Sequence, residues 1–180
     1  CPSLSHRYSN NYILQPYLRL VCKEMGYNAQ APSGRSNTPL SEELNNSLTL
    51  LIFQAPGIEE WNQGKPIISS SPYSAAARIR NSLGRVGKSR GDFDITNSVQ
   101  CYPGVNIQGR DKAPKITVRR KCASWLNMNI AIKEYNKIIV FGSVAKKSVL
   151  SLGYGSDPRF LFLKHPSGGL KNTTLDNALN

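Results

Sequence analysis

The stretch LTLLIFQAPG, Leu48 to Gly57, runs almost wholly apolar to Phe53 and then stops abruptly at Gln, Pro and Gly. A short apolar run ended by turn formers reads as a strand buried on both faces. Outward from it the pattern alternates. PYSAAARIRNSL predicts a helix, FDITNSV a strand, ITVRRKCASWLNMNIAIKEY a helix, KIIVFG a strand, SVAKKSVLSL a helix and FLFLKHP a strand. Each right-handed crossover lays a helix on the sheet, so this order predicts a three-layer α/β/α fold around a central, mostly parallel four-stranded sheet.

The 180 residues, 39% of them hydrophobic, suffice for one well-buried core and not for two. A single domain over residues 1–180 follows, with an N-terminal helix and linker over 1–47, an α/β core over 48–170 and a tail over 171–180. NYILQPYLRLVCKEMGY is expected to be helical, with Pro16 at a kink or in the first turn. The linker NAQAPSGRSNTPLSEELNN offers little to pack beyond a helical turn at SEEL, the stretch from Gln54 to Ile67 reads as a loop, and the tail beyond Leu170 is expected to fray.

Lys and Arg number 23 against 11 Asp and Glu, a formal net charge of +12, which favours a polyanionic partner, nucleic acid first. Arg78, Arg80, Arg85, Lys88 and Arg90 form one basic cluster; Arg110, Lys112, Lys115, Arg119, Arg120 and Lys121 form another. Arg85, Lys88, Arg90 and Lys112 are the expected contacts to a DNA backbone. No apolar run approaches the roughly 20 residues of a membrane span and no signal segment opens the chain, so a soluble, cytoplasmic monomer with no membrane partner is expected, in a bacterial or phage-associated setting.

Ligands in open parallel sheets bind beyond the carboxyl ends of the strands. Those ends read QAPG, TN, FGSVA and HPSGG, gathering polar residues, prolines and glycines at one edge. GRVGKS at Gly84 to Ser89 is not a nucleotide-binding P-loop, because it follows a helix and Ser82 stands where the first Gly belongs. By residue type alone, a His before Pro is a turn residue, and an Asn at a strand end is a cap or turn former. Cys1, Cys22, Cys101 and Cys122 lack zinc-finger spacing; metal or cluster ligation and buried free thiols both fit them.

Taken together, four segments resemble the family 4 uracil-DNA glycosylases. QAPGIEEWNQGKPI is similar to that family's Gly-Glu-Ala-Pro-Gly motif with its acidic stretch and Gly-x-Pro-Phe, and DITNSVQCYPGVN to its Ile-Thr-Asn-x-Val-x-Cys-x-Pro segment. IIVFGSVA resembles the strand ending in Leu-Gly-x-x-Ala, and HPSGGL the closing His-Pro-Ser motif. The four run in the family's order from about Leu50 to Leu170.

The resemblance implies a monofunctional DNA glycosylase that flips a pyrimidine nucleotide into a pocket and hydrolyses its N-glycosidic bond, leaving an abasic site. Such a site needs donors aimed at the departing base and a positioned water at the sugar. Carried over by position, His165 donates to the base, Asn97 reads its edge, and Gln54 stands where the family has a water-positioning Glu. Ala55, Pro56, Gly57, Glu60, Ile67, Tyr73 and Ser167 complete the expected substrate contacts. Cys101 and Cys122 match two ligands of the family's four-iron, four-sulfur (4Fe-4S) cluster, although the stretch between them is longer than in the family. Cys1 and Cys22 are offered as the other two and stand farther apart than the family's C-x-x-C; zinc or no metal is the alternative.

Two departures bear on the substrate. Gln54 does not titrate and holds a water only by hydrogen bonds, unless Glu59 or Glu60 supplies the acid. Ile67 replaces a Phe whose stacking on the base is worth about 1–3 kcal/mol. A face from Trp61 or Tyr73 is one remedy; the other is a pocket for a base with a bulky polar substituent, which the hydroxyls of SSSPYS suit. The expected target is therefore a modified pyrimidine such as glucosylated hydroxymethylcytosine in phage DNA, an antiviral activity. The alternatives are uracil in base-excision repair and a non-catalytic nucleic-acid-binding protein.

Overall fold

The computed structural model describes residues 39–180, so Cys1, Cys22 and the expected N-terminal helix lie outside the described residues. The described chain forms four strands, β1 (Thr49–Phe53), β2 (Asp94–Asn97), β3 (Lys137–Phe141) and β4 (Phe160–Leu163). They build one all-parallel sheet in the order β2-β1-β3-β4. Helices α1 (Ile58–Gln63) and α2 (Ala75–Arg85) follow β1, and α3 (Ile116–Lys121) and α4 (Ala123–Ala131) follow β2. The last two are α5 (Ser143–Leu150), after β3, and α6 (Asn172–Leu179), after β4. The alternation foreseen from β1 outward is the observed one.

Both faces of the sheet are covered, as the continuous apolar strands require. Leu51 and Phe53 of β1 point with Ile95 and Ile139 toward Ile79 and Leu83 of α2 and Leu175 and Leu179 of α6. Leu50 and Ile52 point the other way, with Ile138 and Val140, onto Leu126 and Ile130 of α4 and Val149 of α5. Alternate residues of a strand face opposite layers, so five residues of β1 serve two cores.

Four expectations are corrected. The stretch after β1 is helical: Gly57 begins α1, the Glu60 carboxylate reaches back to the Gly57 N–H at 2.6 Å, and Gly64, at φ 72°, ends it. The tail does not fray, because α6 buries Leu175, Ala178 and Leu179 and Asp176 binds Arg85 of α2. SEEL forms no helical turn; Glu43 instead makes an antiparallel bridge to Ile95, both bonds at 2.8 Å. The helix expected over 116–135 runs as α3 and α4, abutting at Cys122, and stops at Ala131.

Asp94 anchors the opposite end of the sheet. Its carboxylate is fully buried, accepts from the Asn45 and Ser47 N–H groups and the Tyr135 hydroxyl, and pairs with Lys133 at 2.7 Å. Every lone pair is spoken for, which is what makes a buried carboxylate tolerable.

Candidate active site

The chain reverses direction across the sheet at β1: the first crossover runs to β2 on one side, the second returns past β1 to β3. Such a switch point opens a crevice at the carboxyl ends. A cavity of about 350 Å³ lies there, walled by Gln54 to Glu60 after β1, Ile67 to Ser69, the start of α2, Asp111 and Lys112, and His165 and Ser167 after β4. The site residues expected at Gln54, Ala55, Pro56, Gly57, Glu60, Ile67, His165 and Ser167 therefore meet in one cavity.

His165 owes its place to Gly142. At φ 89° Gly142 is left-handed, and a Cβ there would stand 3.3 Å from the His165 Cβ. The Ser167 hydroxyl lies 2.7 Å from His165 Nδ1, and burial lowers the imidazole pKa below its ordinary value, so the ring is neutral at pH 7. If the Ser167 hydroxyl donates to Nδ1, the neutral ring carries its proton on Nε2. The loop carrying His165 is tied to α2 by Arg78, which donates to the carbonyls of Pro166 and Leu170 and, at 2.8 Å, to Asn172 Oδ1.

Glu60 organises the opposite wall. Its carboxylate accepts from the N–H groups of Gly57, Ile67 and Ile68, yet burial and the nearby Asp111 carboxyl push its pKa up to about 7. Those bonds hold Ile67 at φ 47°, a conformation costing a β-branched residue about 1–2 kcal/mol. Arg90 secures the same turn from outside, donating to the carbonyls of Pro66 and Ile67 while its guanidinium pairs with Glu43 at 2.8 Å.

Arg90 is thus a strut of the pocket. Arg85 is engaged likewise: two hydrogen bonds of 2.7 and 2.8 Å join it to Asp176, whose pKa this pairing and the Ser82 hydroxyl draw down to about 2. Lys88 donates to the Asn180 carbonyl and lies over the Phe93 ring. Of the four, Lys112 alone stands exposed at the cavity.

Neither proposed substitute for the missing ring lies on the cavity wall. Trp61 is fully buried, and Tyr73 is 89% exposed and outside the cavity wall. Asn97 is not on the wall either. It ends β2 opposite Phe53, on that residue's face of the sheet, and its buried amide has no hydrogen-bond partner among the described residues.

Two wall residues escaped the sequence reading. Phe53 is the aromatic side chain on the wall and stacks on Phe141 at 4.8 Å; its position as last residue of a buried strand was the available signal. Asp111 arrives from a loop some fifty residues downstream. It lies against Gly57, where a Cβ would meet its Oδ2 at 2.7 Å, and accepts from the Tyr102 hydroxyl at 3.3 Å and from the Ile58 N–H. Burial raises its pKa. Its sequence signal was faint: one acid inside a run of bases.

Cys101 and Cys122 pack in one buried cluster with Val99, Val118 and Trp125. Cys101 is disulfide-bonded and Cys122 is a free thiol, which burial pushes up to about 11 against a hydrogen bond from the Gln100 N–H. Among the described residues no three His, Cys, Asp or Glu gather into a metal site. No helix among them is long and apolar enough to cross a membrane.

The sequence is 29% identical over 103 residues to the type-4 uracil-DNA glycosylase of Pyrobaculum aerophilum, an alignment covering 57% of this chain and 48% of that protein. The chain thus spans about half the length of that relative. The sequence model of the uracil DNA glycosylase superfamily matches residues 41–179, which include every strand of the sheet and every wall of the cavity, and the chain belongs to that superfamily.

Proposed function

We propose that the chain is a monofunctional DNA glycosylase acting on a modified pyrimidine, glucosylated hydroxymethylcytosine in phage DNA being the leading candidate. The observation that carries this reading is the cavity that joins Gln54, Asp111, Ile67 and His165 beyond the carboxyl ends of β1 and β4 in a member of this superfamily.

In the proposed reaction a flipped nucleotide enters the cavity. The bond from the sugar C1′ to the base nitrogen breaks, its electron pair leaving with the base, and His165 Nε2–H hydrogen-bonds the oxygen on which negative charge grows. A water held by the Gln54 amide adds to C1′ and gives a proton to Asp111, so the acid absent at position 54 is supplied from across the loop. A raised pKa suits Asp111 to that task. The Asn97 amide, unpaired beside Phe53 of the wall, would read the base edge only if the wall opened toward it.

Two features of the wall support this substrate class. Ile67 offers no flat face, and about 350 Å³ suits a ligand larger than one six-membered ring. Duplexes carrying uracil or glucosylated hydroxymethylcytosine are the test. Release of the glucosylated base, abolished in H165A and reduced about 100-fold in D111N, is expected; release of uracil alone would refute the modified-base reading, and no release from any duplex would favour a binding protein.

The cysteine pair fits half of a 4Fe-4S site: Cys101 and Cys122 share one buried cluster, and the Gln100 amide already bonds a sulfur. Cys101 would have to be reduced to serve, with Cys1 and Cys22 completing the set. A cluster there would cross-link segments distant in sequence and takes no part in the steps above. Iron and sulfide analysis of anaerobically reduced protein, at about four irons per chain, tests it.

A further inference from the structure

On the face of the sheet that α2 covers lies a second cavity of about 350 Å³, which the chemistry above leaves unused. Leu51, Ile67, Ile79, Leu83, Phe93 and Ile95 form its body, which is therefore apolar. The polar side chains on its wall are Arg80, Lys88, Ser89 and Arg90, with no carboxylate among them. Ile67, Ile68 and Ala76 belong to both cavities and form the partition between them.

Two further placements point to a ligand. Gly84 stands on the wall in the last turn of α2, where glycine is a poor helix former, and a Cβ there would meet nothing within 4 Å. No close contact demands a glycine at this position; its effect is to leave the cavity open beside the helix. Arg80 lies one helical turn earlier on the same face, exposed and with no hydrogen-bond or ion-pair partner among the described residues. The other two cations of the wall are held, Arg90 by Glu43 and Lys88 by the Asn180 carbonyl, so Arg80 is the charge left for an incoming group.

We propose that this second cavity is a ligand site for a small organic anion with an apolar body, a medium-chain carboxylate in chemical class, its head on the Arg80 guanidinium and its body among the aliphatic side chains. Cavities of this size take single small ligands through mostly apolar walls and a few charged groups. A guanidinium pairs a carboxylate through two parallel N–H bonds. A nucleobase suits the cavity less, because its edge carries several donors and acceptors that an aliphatic wall leaves unpaired. The site stands independently of the glycosylase reading, and the shared Ile67 partition sets its ligand next to the candidate active site.

Titration calorimetry of the full chain with octanoate, below its micelle concentration, tests the site. Wild type should bind one octanoate per chain. Octan-1-ol should bind wild type about 10-fold more weakly, and R80A should bind octanoate about 10-fold more weakly, each having lost one half of the charge pair. G84L, whose side chain fills the mouth, should abolish binding, and H165A should bind as wild type does; R80A, an exposed position, decides the matter should G84L not fold. No saturable binding by wild type, undiminished binding in R80A or in a folded G84L, equal binding of octan-1-ol, or loss of binding in H165A would each overturn the proposal, the last by moving the ligand into the candidate active site. Tighter binding of thymidine monophosphate than of octanoate, weakened in R80A, would overturn it in favour of a nucleotide pocket.

Discussion

At the scale of single residues, two positions couple stability to the site. The Glu60 carboxyl holds its proton to about pH 7 in the folded chain but releases it near 4.5 when unfolded. The folded state therefore binds the extra proton between these values, and stability is full below pH 4.5 and falls as pH rises through 7, by on the order of 3 kcal/mol. E60Q is expected to flatten that slope in urea unfolding measured from pH 4.5 to 8. Gly142 is the second. G142A meets both a left-handed backbone and the His165 side chain, so a loss of about 1–2 kcal/mol in stability is expected. Excision should fall further than stability explains, since His165 is displaced; wild-type rates in G142A would show that His165 tolerates the shift.

Among elements, helix α2 does more than cover the sheet. Through Arg78 it grips the loop that carries His165, and through Arg85 and Ser82 it holds Asp176 of α6. The bonds of Arg78 to main-chain carbonyls fix that loop against α2, whereas the Arg85–Asp176 pair is open to solvent. R78A is expected to lower kcat about 10-fold or more with a smaller change in KM, and R78K not to restore it, because Lys lacks the fork that reaches two carbonyls at once. The α6 contact is apolar as well as ionic. Leu175 is fully buried, and L175A should cost about 2–5 kcal/mol in chemical denaturation.

Over the whole molecule, Arg78, Arg85, Lys88 and Arg90 are engaged by the protein itself, whereas Arg110 and Lys112 stand exposed on the hairpin bridged at Val105 and Asp111, Lys112 at the cavity. Under the proposed reading, the charge offered to DNA lies toward the hairpin. Measuring DNA affinity against salt concentration should show R110A and K112A each reducing the slope of log K on log salt by about 1. R85A should leave the slope unchanged while weakening the fold, and a reduced slope in R85A would return that residue to the interface.

Fold class was legible because strand and helix periods are local: apolar runs such as Leu48 to Phe53 and Lys137 to Phe141 need no distant partner to be recognised. The carboxyl-edge residues were legible for the same reason, since Gln54, His165 and Ser167 follow strands directly. Four things were decided only by tertiary structure. Asp111 joins the site because its hairpin folds back onto Gly57, and Trp61 leaves it because α1 turns that ring inward. Arg85 and Arg90 become struts because Asp176 and Glu43, remote in sequence, arrive beside them. The tail becomes a helix because the apolar face of α2 needs covering. A residue's charge is written in the sequence, but whether that charge is free depends on which groups folding places next to it.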